Sequence, residues 1–129
     1  MTDIYERHAS VQDDSELPFW IRDLLSRRWY SCSEPAYVHF RQGLLREWVM
    51  EAVDGHENGR EQLRQACCAY LQHSDAQVLE QSLACLFVIG LATDAYAVEP
   101  LLSHPDEAIR KAARTCMFEI RRRVADGRD

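Results

Sequence analysis

The feature that most restricts this chain is that part of it occurs twice. A shift of 31 residues lays Leu71 on Leu102, His73 on His104, Asp75 on Asp106, Val78 on Ile109, Cys85 on Cys116, Leu86 on Met117, Phe87 on Phe118 and Ile89 on Ile120. The matched apolar positions recur at helical spacing. Both copies carry turn chemistry at the same point, His73-Ser74-Asp75 and His104-Pro105-Asp106. A period of about 20–50 residues marks stacked units, because one such unit cannot bury its apolar face alone. Such a stack offers a surface for holding something, and no catalytic motif accompanies it.

The apolar stripes place the helices. Ser15 is a candidate N-cap for a helix from Glu16 to Tyr30, with Pro18 in its first turn. Phe19, Trp20, Ile21, Leu24, Leu25 and Trp29 make its apolar face. Ser33 and Pro35 suit the start of a second helix, which carries Val38, Leu44, Leu45, Trp48, Val49, Ala52 and Val53. Asp54-Gly55 ends it, with Gly55 suited to a left-handed closing residue. Asn58 and Glu61 have the spacing of a capping box. Leu63, Ala66, Cys67, Tyr70 and Leu71 follow at i, i+3, i+4, i+7 and i+8, an amphipathic helix. The first repeated turn leads to Val78, Ser82, Cys85, Leu86 and Ile89, stopping at Gly90. Thr93 is placed to cap a short helix through Ala95, Val98, Leu101 and Leu102. The second turn leads to a last helix with Ile109, Ala112, Ala113, Cys116, Met117 and Ile120 facing inward. No run of alternating residues reads as a strand. The fold class is therefore all-α: a short α-solenoid of about three antiparallel helix pairs, the N-terminal pair divergent as solenoid ends commonly are. Residues 1–14 read as a flexible arm, 15–125 as one helical domain and 126–129 as a frayed tail.

Composition narrows the function classes. A chain of 129 residues with 47% apolar residues suits one folded domain. The net charge of −6 disfavours general nucleic-acid binding, which rewards a basic surface, and favours a basic partner. The five cysteines include no Cys-x-x-Cys, and Cys67, Cys85 and Cys116 fall on apolar stripes. That usage fits a reducing, cytoplasmic setting with free thiols acting as small hydrophobes. Cys67-Cys68 reads as one inward and one boundary thiol, since a disulfide needs a geometry that neighbours seldom supply. The N-terminal residues lack the basic start and apolar run of a secretion signal. No apolar stretch nears the ~20 residues needed to span a bilayer.

The segment from Ala95 to Arg114, with Asp106, Ile109, Arg110, Ala112 and Ala113, resembles a HEAT-like repeat of the phycobilisome-lyase type. That repeat pairs a short helix, an Asp-containing turn and a second helix opening Val/Ile-Arg-x-x-Ala-Ala; here the alanines stand one place closer to the Arg. The preceding copy matches through Leu71, Asp75 and Val78, and departs at Leu79, Gln81 and Ser82. The likeness extends from Glu61 to Arg123. It implies stacked helix pairs, with an Asp–Arg ladder that Leu79 would interrupt. Asp106 is placed both to cap its helix and to pair with Arg110 one turn on. The scaffold itself hosts lyase subunits, nucleic-acid enzymes and adaptors, so it does not fix an activity.

His73 and His104 recur, but neither brings the partners a metal needs. One HEAT-like enzyme family, the deoxyhypusine hydroxylases, holds iron through repeated His-Glu pairs. This chain has only His56-Glu57, outside the repeat register. Both histidines read as turn residues, and no metal or cofactor is implied. Charge is segregated: no Lys or Arg lies between Gln65 and Glu107, while Arg110, Lys111, Arg114, Arg121, Arg122 and Arg123 follow. In a stacked array the second helix of each pair lines the concave side, where Glu80, Phe87, Lys111, Arg114, Phe118 and Arg122 become the candidate partner-binding residues. Aromatic residues among charges are the usual anchors of an interface. The expectation is a non-enzymatic protein-binding module, an adaptor or an inhibitor of the immunity type, gripping a basic protein partner. The alternatives are a subunit of a phycobilin lyase-like enzyme, suggested by the resemblance, and a nucleic-acid-binding HEAT-like protein.

Overall fold

A computed structural model describes residues 14–26, 46–72 and 75–127, and every regular element among them is helical. In chain order these are α1 (Phe19–Ser26), α2 (helical over 46–54), α3 (Gly59–Tyr70), α4 (Ala76–Ile89), α5 (Ala95–Val98) and α6 (Glu107–Ala125). Two 3₁₀ turns, Ala92–Asp94 and Glu99–Ser103, flank α5. The readings made for Trp29, Cys32, Ser33, Pro35, Val38, Leu44, Leu45 and His73 fall outside the described residues, as does the arm up to residue 13.

The repeat is visible in the backbone. Asp75 and Asp106 both stand at an N-cap in extended conformation, φ −79°, ψ 119° and φ −81°, ψ 121°. Each carboxylate accepts the amide two residues on, from Gln77 and from Ala108, at 2.8 Å in both cases. Each aspartate carbonyl then accepts the first helical bond, from Leu79 and from Arg110, at 3.1 Å in both cases. The same residue type at the same offset therefore starts α4 and α6 by the same device. Arg110 does not pair with the Asp106 carboxylate as expected; its guanidinium donates to the His104 and Pro105 carbonyls, at 2.8 and 3.0 Å. His104 Nδ1 accepts the Asp106 amide at 3.0 Å, so the imidazole is part of the turn.

Helix α4 is the centre. It buries Leu79, Leu83, Leu86, Val88 and Ile89 together with Gln77, Gln81 and Ser82, and has no solvent face to speak of. A helix apolar on all sides has to be covered on all sides. Here α3, α6 and α1 pack around it. Its C-terminal end abuts α6 closely: a Cβ on Gly90 would lie 2.5 Å from the Leu86 carbonyl and 3.0 Å from Ile120 Cδ1, so only glycine fits. The carbonyls freed where α4 stops are taken by Arg123, which is buried in α6. It donates to the carbonyls of Phe87 at 2.6 Å and Gly90 at 2.7 Å. The arginine run at the end of α6 therefore includes one residue that terminates a different helix, where a cation meets the negative end of the dipole.

Local signals fail at three helix starts. Asn58 stands at the N-cap of α3 in the left-handed region, φ 56°, and its side chain makes no capping bond. Glu61 pairs with Arg64 and Gln65 instead. Asn58, and not Gly55, is the left-handed residue of this loop, because Gly59 must bring its backbone against Val53, where a Cβ would be 2.4 Å from the carbonyl oxygen. Thr93 caps nothing; Asp94 holds the turn by accepting the Leu91 amide at 2.7 Å. Helix α1 starts at Phe19, its first bonds accepted by the Pro18 carbonyl, so Ser15 is too early to cap it. Pro100, lacking an amide hydrogen, falls inside the second 3₁₀ turn, so the short helix read over Ala95 to Leu102 is broken after Val98.

Ser82 is fully buried and its hydroxyl has no hydrogen-bond partner among the described residues. The equivalent position in the second copy is Ala113. Ser82→Ala is expected to raise stability by about 1 kcal/mol, the cost of a buried hydroxyl left unpaired, measured by urea unfolding. A loss of stability would show that the hydroxyl is satisfied. Arg123→Met is expected to lower stability by about 3 kcal/mol in the same measurement, since it leaves the buried Phe87 and Gly90 carbonyls without their donor.

Candidate functional site

Among the described residues large apolar side chains stand in solvent at Phe19 on α1, at Trp48 on α2 and along the outer side of α6 with α5. Phe118 is 69% exposed, and Tyr96, from α5 alongside, is 81% exposed. Val124 is 43% exposed further along the same helix. A hollow of about 490 Å³ lies here, lined by Leu102, Arg114, Met117, Phe118, Arg121 and Arg122. A second, of about 390 Å³, shares Met117 and Arg121 with it and reaches Tyr96 and Val124. Together they make a shallow apolar strip with Arg114, Arg121 and Arg122 along its edge and one exposed carboxylate, Glu99, at the Tyr96 end.

Those cations differ in what they already hold. The Arg122 guanidinium donates to Glu119 at 2.7 and 2.9 Å. It reaches Asp126 at 3.4 Å. Arg114 and Arg121 have no carboxylate partner among the described residues. Of the residues named from sequence, Arg114, Phe118 and Arg122 line one hollow. Lys111 is exposed, Glu80 is half-buried, and Phe87 is half-buried against the core. Neither Glu80 nor Phe87 lines the hollow. Tyr96, Leu102 and Arg121 belong to the strip and were not named. The signal for Arg121 was available: it stands where the first copy has Gly90.

Part of the acidic middle of the sequence is used within the fold, while Glu99, Asp106 and Glu107 stay exposed. Asp75 and Asp106 cap helices. Asp94 is 5% exposed and holds Arg64, the last cation before the acidic stretch, through two bonds of 2.7 and 2.8 Å. Burial alone would raise the Asp94 carboxyl, but the Arg64 guanidinium and the Leu91 amide outweigh it and hold it below the usual range. Glu119 is held low first by its bonds to Arg122, against some burial, with Arg123 and Arg46 adding to the effect. Cys68 and Cys116 are pushed up to about 12, mainly by burial, so neither is a thiolate at neutral pH. Among the described residues no group of three or more His, Cys, Asp and Glu side chains could hold a metal ion. No described helix is long and apolar enough to cross a membrane.

A further groove, of about 460 Å³, lies between α1 and α2. Trp20 and His56 stack across it with centroids 4.4 Å apart, and Phe19, Trp48, Asp23 and Glu51 complete its walls. In comparisons with known proteins, no family model matches the chain, and no curated protein or solved structure does either.

Both depressed carboxyls stabilise the fold fully above the unfolded-chain value of about 4 and lose that contribution as the pH falls through their lower folded values. Asp94→Asn is expected to cost about 3 kcal/mol at pH 7 by leaving the Arg64 charge half-paired. The gap between variant and wild type should close as the pH drops below about 4. A gap constant from pH 7 to pH 2 in urea titrations would contradict the pairing.

Proposed function

We propose that this chain is a non-enzymatic protein-interaction module, a short HEAT-like stack of helix pairs that holds a protein partner against the outer face of α6. The observation that carries this reading is Phe118, more than two-thirds exposed beside Met117 and Leu102 and flanked by two arginines with no carboxylate partner among the described residues. An exposed aromatic over an apolar floor, rimmed by charge, has the anatomy of an interface hot spot. The resemblance of the second copy to HEAT-like repeats supports it, since that architecture serves adaptors widely. Two of the cysteines are held as thiols, which fits a binding role better than a nucleophilic one. Within this class an adaptor and an inhibitor of the immunity type differ only in what the partner does.

The test is capture from the native source with a photo-crosslinking residue at position 118. A single stoichiometric protein partner is expected. In parallel affinity capture without the crosslinker, Phe118→Asp should weaken its recovery ~30-fold or more, as for a hot-spot residue, while urea unfolding stays within ~0.5 kcal/mol of wild type. Undiminished recovery with Phe118→Asp would remove this face from the reading.

A further inference from the structure

The internal repeat says what kind of surface α6 presents. Along α4, the corner from Leu83 to Gly90 is covered by α6: Ile120 meets Gly90, and Arg123 rests on the carbonyls of Phe87 and Gly90. Moved on by 31 residues, the same corner of α6 is Arg114, Met117, Phe118 and Arg121, of which Arg114, Phe118 and Arg121 are exposed and Met117 is buried. The floor is retained, Met117 for Leu86 and Phe118 for Phe87. The surroundings are changed, Arg114 for Leu83 and Arg121 for Gly90.

We infer that this face takes an acidic amphipathic helix of a partner protein, stacked on α6 much as α6 stacks on α4, in place of the basic partner that the net charge alone favours. This rests on the reading of α6 as the docking face and adds the chemistry of the occupant. The apolar floor asks for a stripe of small and aliphatic residues, as α6 itself offers through Ala112, Ala113, Cys116 and Ile120. The charge must differ from that of α6. On α4 the covering helix brings a cation, Arg123, because α4 stops there and leaves carbonyls unpaired. On α6 the helix runs on to Ala125, so the backbone at Phe118 and Arg121 is inside the helical ladder and offers no such acceptors. Arg114 and Arg121 stand there instead, without a carboxylate partner among the described residues. An occupant bearing Glu or Asp at the flanks completes them. A second copy placed face to face on this strip would set unpaired arginines against arginines, so the isologous dimer is disfavoured.

Two synthetic helical peptides test this with the full chain. Both repeat the buried α6 stripe, with alanine at the cysteine position. One has Glu and the other Lys at the flanks and at the place of Arg123. By fluorescence anisotropy in 50 mM salt the Glu peptide is expected to bind at least ~10-fold tighter, the difference shrinking by 500 mM salt. The exposed double variant Arg114→Glu/Arg121→Glu should reverse the preference, and Arg114→Gln/Arg121→Gln should abolish it, each with an unchanged unfolding curve. Equal affinity for both peptides, or no binding of the Glu peptide while the position-118 crosslinker still captures a protein, overturns the acidic helix and leaves the interaction module standing. Crosslinking of position 118 to nucleic acid, or sedimentation showing a dimer that Phe118→Asp dissociates, overturns it as well. Capture that survives Phe118→Asp overturns the module's docking face itself.

Discussion

The fold depends on the need to cover α4. A 14-residue helix that buries even its two glutamines and its serine cannot face water on any side. Each buried Leu, Ile or Val contributes about 1.5–3 kcal/mol, so leaving one flank open would cost more than a small domain holds in reserve. That requirement sets the positions of α1, α3 and α6 around it. It also explains why the tightest constraints gather at the α4 C-terminus. Gly90 removes a side chain so that Ile120 can approach, and Arg123 supplies the donors that the ended helix leaves wanting. Glu119 in turn holds Arg123 at 3.3 Å and Arg122 at 2.7 Å, so the buried guanidinium is compensated from its own helix.

The parts legible in the sequence were those decided by neighbours along the chain. Asp75 and Asp106 act on amides two residues away, and Val78, Cys85, Ile109 and Cys116 fall inward because a helix returns to one face every turn. The parts that were not legible are decided across the fold. Asn58 adopts a left-handed backbone because Gly59 has to meet Val53, a contact that sequence spacing does not reveal. Asp94 is buried because Arg64, 30 residues away, reaches it, and nothing local separates it from the exposed Glu99. Arg123 looks like its two arginine neighbours in the sequence and differs from them only in facing α4. The same limit applies to the candidate surface: Phe118 and Arg114 were identifiable as offset from the stripe, but Phe87, at the equivalent place, is half-buried because α6 lies beside it.

The two copies of the repeat carry different information where they agree and where they differ. Agreement marks what each of these helices needs: a capped start, an inward stripe and a place for the adjoining helix. Disagreement marks what each unit meets. Gln81 and Ser82 become Ala112 and Ala113, which let helices approach without polar atoms to satisfy. Leu79 and Leu83 become Arg110 and Arg114 on the outer side, while Leu86 and Phe87 keep apolar counterparts. If the proposed stack simply ended at this unit, a polar floor here would gain solubility.

A solvent-facing phenylalanine on a rigid helix has a cost in specificity, because any apolar partner gains from covering it. In the proposed interface Arg114 and Arg121, which have no carboxylate partner among the described residues, answer that cost. They would repel basic surfaces and a face-to-face copy of the same helix, and favour an occupant that covers the phenylalanine and brings carboxylates to them. Apolar contact then supplies affinity and the arginines supply selection. Because both arginines are exposed, the selection is screened by salt while the apolar contribution is not. A partner chosen this way is distinguished by its charge at low ionic strength and held by its apolar stripe at high ionic strength.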